Sequence, residues 1–303
     1  MYKFLRNIVI KSEILIRLYL ILKNIILNIK FLTTNNLYEE RNSYDIDILR
    51  NKFKYEFTNT QTPNIKNIDE TLDFLLQNDK CSLCRFGDGE FEIIVGKDSP
   101  FQKSTVKLGE KLKQVLQNNN PNICVCLPKL LYEGKNNTLP GQQKFWINAA
   151  KRLNLYNLIL EICDFKKIFY STEVSIPFVY KNFDGESYFK KIRALWENKK
   201  ITIISGKGIL DGLKYNIFDN AVSIEYQYAP KKNAFSDYEN ILKRAITINK
   251  ERIIIVILGQ TATVLAYDLA LKGYRALDLG HIAKTYNWYK EKLNFKSTFF
   301  NPD

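Results

Sequence analysis

The chain has 303 residues, 46 % apolar and 25 % charged, which excludes wholesale disorder and allows one large domain or two modest ones. Lysine and arginine number 45 against 32 acids, a net charge of +13. Only ten of them are arginine, the residue that base- and groove-reading proteins lean on, so nucleic acid is not an expected partner. Five cysteines without a cleavable signal pattern argue against a disulfide framework and for the reducing cytoplasm.

Residues 1–37 form a long apolar series that includes Ile8-Val9-Ile10, Ile14-Leu15-Ile16 and Ile25-Ile26-Leu27. Lys3, Arg6, Lys11, Arg17, Lys23 and Lys30 interrupt it, with Glu13 the only acid. Charges this frequent exclude a spanning helix, which needs roughly 18–20 nearly uncharged residues. Two readings stay open: an interfacial helix with snorkelling lysines on the inner face of the membrane, or a helix packed against protein. A second helical stretch, Tyr44 to Lys54, leads into the polar run Thr58 to Asn64, which Pro63 closes. The chain therefore reads as a basic helical extension over 1–62 and a second domain over 63–303.

Beyond the linker, strand and helix patterns alternate. Buried strands are predicted at Ser82 to Phe86, Ile123 to Leu127, Ile201 to Ile204, Ala221 to Ile224 and Arg252 to Leu258. Helices are predicted at Val106 to Gln117, Ser187 to Trp196, Tyr238 to Ile248 and Thr261 to Leu271. The fold class is α/β, a Rossmann-like, mostly parallel sheet with helices on both faces. Cys81 and Cys84 fall three apart on a strand and face opposite ways, so with Cys124 and Cys126 they read as small buried residues and not as a zinc site.

Ligands of open α/β sheets gather beyond the carboxyl ends of the strands, so the residues after each run carry the chemistry. After the first run comes Arg85-Phe86-Gly87-Asp88-Gly89-Glu90, a carboxylate pair in a glycine-flanked loop suited to a Mg2+ or Mn2+ ion, or simply an acidic helix start. The run ending at Leu258 enters Gly259-Gln260-Thr261, with the threonine as helix cap and the helix end aimed at an anion. Ser205-Gly206-Lys207-Gly208, continuing to Gly212, approximates a dinucleotide fingerprint, with Glu225 placed like a ribose-binding acid; an oxidoreductase is the alternative it supports. His281, the single histidine, follows Leu277-Asp278-Leu279-Gly280 at a predicted strand end and suits either a structural role or proton removal near neutrality.

Together, Ser82 to Phe91, Ala229 to Phe235 with its Pro230 and Asn233-Ala234-Phe235, Gly259 to Leu269 and Asp278 to His281 resemble, in order and spacing, the motifs of the bacterial GT-D-fold glycosyltransferases. The resemblance implies transfer of a sugar from a nucleotide diphosphate donor, UDP-hexose first, to a hydroxyl of a surface glycan, glycoprotein glycan or lipid-linked glycan. It implies Asp88 and Glu90 as ligands of Mn2+ or Mg2+. It implies donor-lining loops at Gly206, Asn233 and Thr261, to which Arg85, Gly87, Lys207, Gly259 and Thr263 are added as candidates. His281, by its place and imidazole chemistry, is the candidate base at the acceptor oxygen, with Asp278 either orienting it or facing the other side of the strand. Gln260 stands where the family's proline is usual, and Ala283, Thr285 and Asn287 stand where its members carry acids. Those missing acids keep a catalytically idle nucleotide-sugar or glycan-binding module as a further reading.

Overall fold

The computed structural model describes residues 62–132 and 138–293, which fall in the second of the two units, 1–61 and 62–303, into which the chain divides. The helices expected over 1–37 and Tyr44 to Lys54 lie outside the described residues.

The strands are β1 (Asn64–Ile65), β2 (Ser82–Arg85), β3 (Ile123–Leu127), β4 (Ile168–Ser171), β5 (Lys200–Gly206), β6 (Ser223–Ala229), β7 (Ile253–Ile257) and β8 (Ala276–Asp278). They form one sheet in the order β1-β4-β3-β2-β8-β7-β5-β6, and every pairing is parallel. Nine α-helices connect them among the described residues: α1 (Ile68–Gln77), α2 (Asp88–Ile94), α3 (Val106–Gln117), α4 (Pro140–Leu153), α5 (Leu155–Ile162), α6 (Gly185–Arg193), α7 (Tyr238–Ala245), α8 (Gln260–Leu271) and α9 (Ile282–Lys290).

Alternation within each central strand divides the core between the two sheet faces. In β7, Ile254 and Val256 pack with α2, α3, α4, α5, α7 and α8. Ile253, Ile255 and Ile257 pack with α1, α6 and α9. Both faces are covered, which is why the strand reads as an unbroken apolar run; each such side chain removed from water stabilises the fold by about 1.5–3 kcal/mol. The same alternation puts Cys84 on the first face and Cys81 on the second, and all five cysteines are free and buried. Local signals agree with this layering. Asn67 Oδ1 accepts from the Glu70 amide and Glu70 Oε2 from the Asn67 amide, each at 2.8 Å, a reciprocal cap that starts α1.

Three expectations need correction. The strand expected at Ala221 to Ile224 is β6, shifted to Ser223–Ala229; it is the sheet edge, where Tyr226 and Tyr228 are exposed and the apolar signal is weak. The Gly206 to Gly212 loop leads into no helix before β6, so it cannot place a dinucleotide's phosphates on a helix start. Glu225 lies inside β6, with Oε1 3.0 Å from Arg252 Nη1, and not at a strand's carboxyl end. These two features remove the oxidoreductase reading. No helix among the described residues is long and apolar enough to cross a membrane.

Candidate active site

Adjacent strands β2, β8 and β7 end side by side, and this brings residues nearly two hundred positions apart into one cluster. Arg85 ends β2 and Asp278 ends β8. The Arg85 amide donates to Asp278 Oδ2 at 3.3 Å, its Nε donates to the Asp278 carbonyl at 2.9 Å, and Nη2 lies 3.4 Å from Oδ1. Arg85 Nη1 also donates to the Thr172 carbonyl at 3.2 Å, beyond the end of β4. From the first turn of α8, Thr263 Oγ1 lies 2.9 Å from the Arg85 carbonyl and 3.2 Å from Asp278 Oδ2. The Gly280 amide donates to Asp278 Oδ1 at 3.4 Å, and a Cβ at Gly280 would stand 2.5 Å from Arg85 Nη2. Only glycine leaves room for this pair.

Asp278 thus orients Arg85, and no hydrogen bond joins it to His281 among the described residues. Burial pushes its carboxyl up, against the opposing pull of Arg85. His281 is the N-cap residue of α9, exposed at its surface but enclosed by protein around the ring. That enclosure, with the charges of Arg85 and Lys284, lowers it to about 4. It is neutral at physiological pH and a weaker base than free imidazole.

Asp88 and Glu90 do not sit in a loop. They are the first and third residues of α2, so the acidic helix start is the local geometry here. Glu90 is buried, its Oε2 accepting from the Gly87 amide at 2.7 Å; burial and the charge of Asp278 push it up to about 7. Asp88 is half-buried and raised by burial, opposed by Arg152, whose Nη2 is 3.8 Å away. No group of three or more His, Cys, Asp or Glu able to hold a metal occurs among the described residues. In kind the two are the oxygen donors a hard cation takes, Asp88 beside Arg152 and Glu90 with one oxygen on the Gly87 amide, with the remaining positions left to substrate oxygens or water.

Gly259, at φ +52°, is the N-cap of α8 in place of the expected Thr261. Thr261 is fully buried and its hydroxyl donates to Gln102 Oε1 at 3.1 Å. Gln102 Oε1 also accepts from the Phe235 amide at 3.2 Å, and Asn233 Oδ1 accepts from the Lys103 amide at 2.7 Å. Ser99 Oγ donates to Gln260 Oε1 at 3.0 Å, and Gln260 Nε2 lies where a Cβ on Gly89 would go. Residues 99–103 therefore strap the Asp88 helix, the Asn233 turn and the α8 start together, a role no sequence motif marked. Gly206 ends β5 and abuts the Lys231 backbone, while Lys207 is exposed and its amide donates to the Ala229 carbonyl at 3.1 Å. Lys207 is not drawn into the Arg85 cluster. Asn287 holds Tyr215 through two hydrogen bonds of 2.9 and 2.7 Å, and Thr285 is buried against the Ser175 and Ile282 carbonyls. Both serve packing where relatives were expected to carry acids.

The parallel topology gathers polar loops at the carboxyl edge of the sheet, the place where open α/β folds take their ligands. Residues 83–301 match the family model described as glycosyltransferase GT-D fold, and the chain belongs to that family. It is 34 % identical over 245 residues to the probable glycosyl transferase Gly of Streptococcus gordonii, covering 78 % of this chain and 35 % of that protein. It is 32 % identical over 241 residues to the glycosyltransferase GlyD of Streptococcus pneumoniae serotype 4, covering 78 % and 29 %. The match thus spans about a third of those relatives' length. A solved structure of the conserved domain of unknown function 1792, described as a distinct glycosyltransferase fold, superposes with a TM-score of 0.70 at 33 % identity, covering 76 % of this chain and 82 % of that one. Another, described as a new glycosyltransferase from Streptococcus sanguinis, gives 0.69 at 32 %, covering 76 % and 86 %.

Proposed function

We propose that the protein transfers a hexose from a nucleoside diphosphate donor, UDP-hexose first, to a hydroxyl of a growing surface or protein-linked glycan. The observation that carries this is the convergence of Arg85, Asp278 and Thr263 with the Asp88 helix at neighbouring strand ends, from motifs up to 193 residues apart. In such a reaction the acceptor oxygen forms a bond to the anomeric carbon. The bond from that carbon to the diphosphate breaks, the diphosphate keeps the electron pair, and the acceptor's proton passes to a base.

Asp88 and Glu90 would hold a Mn2+ or Mg2+ ion, which supplies positive charge against the leaving diphosphate when bound. The start of α8, open at exposed Gly259, offers amide dipoles to the same anion. Gly87, Gly206, Lys207 and Asn233, at or after the carboxyl ends of strands, would contribute to the donor site. Arg85, fixed by Asp278, presents a set positive charge beside the sugar, and neutral His281 can accept the acceptor's proton. The acceptor class includes lipid-linked glycans, and the basic, apolar 1–37 segment supports a place at the inner membrane surface.

The test is a screen of nucleotide sugars for release of nucleoside diphosphate with Mn2+ or with chelator, beside UDP binding. Asp88→Asn and Glu90→Gln should keep the fold and make UDP binding insensitive to Mn2+, because a neutral amide is a poor ligand for a hard cation. Metal-independent binding and turnover by the parent protein would exclude the metal. Binding of UDP-sugar without any turnover would favour the idle module, the reading that packed Thr285 and Asn287 support.

A further inference from the structure

Arg152 lies in the last turn of α4 and belongs to no motif. Its Nη2 is 2.7 Å from Glu92 Oε1 and 3.8 Å from Asp88 Oδ2. Asp88 and Glu92 are four residues apart on α2 and share a face, so one guanidinium meets both. The short contact is to buried Glu92, which fixes the guanidinium in place; the arginine itself stays 51 % exposed. Its Nε and Nη1 engage no described residue in a hydrogen bond. A tie between α2 and α4 would need Glu92 alone. Here a second carboxylate, the candidate metal ligand, lies beside a half-exposed planar fork with donors to spare.

We infer that Arg152 is the protein's own cation at this site, sharing Asp88 with the bound divalent ion and taking the donor's diphosphate through its open N–H groups. The inference rests on the nucleotide-sugar reading above. Chemistry favours an arginine: its fork matches phosphate oxygens two at a time and keeps its charge at every working pH. A fixed guanidinium next to the breaking bond would stabilise the charge that the leaving diphosphate gathers, with no reorganisation during the reaction.

Sharing Asp88 gives two effects of opposite sign. Removing the positive charge should help a metal ion and hurt an anion. The experiment titrates the full chain, parent against Arg152→Gln, with inorganic diphosphate in chelator and separately with Mn2+ alone. Arg152→Gln should bind diphosphate about tenfold more weakly, as expected for loss of a charge-assisted pair. It should bind Mn2+ alone about threefold more tightly, since a like charge near the ion is gone. Arg152→Lys, which keeps the charge but not the fork, should fall between parent and glutamine for diphosphate, and it is the decisive variant if glutamine does not fold. A parent that binds no diphosphate, or variants that bind it as tightly as the parent, overturns the inference. Failure of the parent to bind Mn2+ overturns the sharing of Asp88 with a metal, and the chelator titration then decides the diphosphate contact of Arg152 by itself.

Discussion

Glu90 stands between the Gly87 amide, which favours its charged form, and burial beside Asp278, which opposes it. In the unfolded chain it loses its proton near 4.5, but in the fold it holds it to about 7. Between these values the native state binds one more proton, so its contribution to stability is present at low pH and is lost as pH rises through the folded value. The difference in thermal midpoint without metal, parent minus Glu90→Gln, should therefore fall from about pH 5 to pH 8, because the opposite slope that His281 contributes is common to both proteins. Equal slopes for the two proteins would contradict this. Mn2+ affinity should climb over the same range, because the ion competes with the proton. His281 permits a separate test at the same scale. His281→Ala should lower transfer by about 10²-fold while metal-dependent UDP binding survives. If His281→Asn, which keeps a hydrogen-bond donor, transfers at the parent rate, the histidine is structural. Gly280→Ala carries a steric prediction: the new Cβ would meet Arg85 Nη2, and moving Arg85 off Asp278 should cost about 1–3 kcal/mol in urea unfolding.

Residues 99–103 act between elements. Through Gln102, Asn233 and Gln260 they hold the turn before α7, the start of α8 and the first turn of α2 in one arrangement, although no regular structure runs through them. Gln102 is 4 % exposed, and its Oε1 serves both the Thr261 hydroxyl and the Phe235 amide. Gln102→Ala leaves both donors buried without a partner, at about 1–3 kcal/mol each in the worst case. The expected outcome is a lowered unfolding midpoint together with weaker UDP binding, since two loops of the site lose a common anchor. A variant that loses stability but binds UDP as the parent does would show that the strap supports the core and not the site. At the α8 start, Gln260 accepts from Ser99 Oγ at 3.0 Å and lies over Gly89, tying the helix start to both.

At the scale of the whole molecule, the described sheet and its two helix layers hold every candidate site residue, while the charge excess of the first 37 residues belongs to another part of the chain. Deleting residues 1–37 should leave donor hydrolysis unchanged and reduce sedimentation with anionic liposomes. Added salt should weaken that binding in the full chain, because exposed charges are screened beyond about 10 Å at 0.1 M. A full chain that ignores liposomes at low salt would assign the segment to protein packing.

The amino-acid order alone determined the α/β class, the central strands and the carboxyl-end motifs. A doubly covered strand must be apolar throughout, and Ile253–Ile257 says so without help from any neighbour. The same reasoning found Val106–Gln117 to the residue, because its apolar period and its Thr105 cap are local. It could not see β4, four residues with one exposed end, α4, whose polar residues dilute the period, or α5, whose eight mostly apolar residues are too few to establish one. It misplaced β6, since an edge strand keeps charged and aromatic residues facing water. The pairing of Arg85 with Asp278 and the approach of Arg152 to Asp88 depend on strand order and helix packing, which only the tertiary structure decides. Residues 85 and 278 become neighbours because β8 inserts between β2 and β7, a choice made by the closing of the whole sheet and by no residue in either segment.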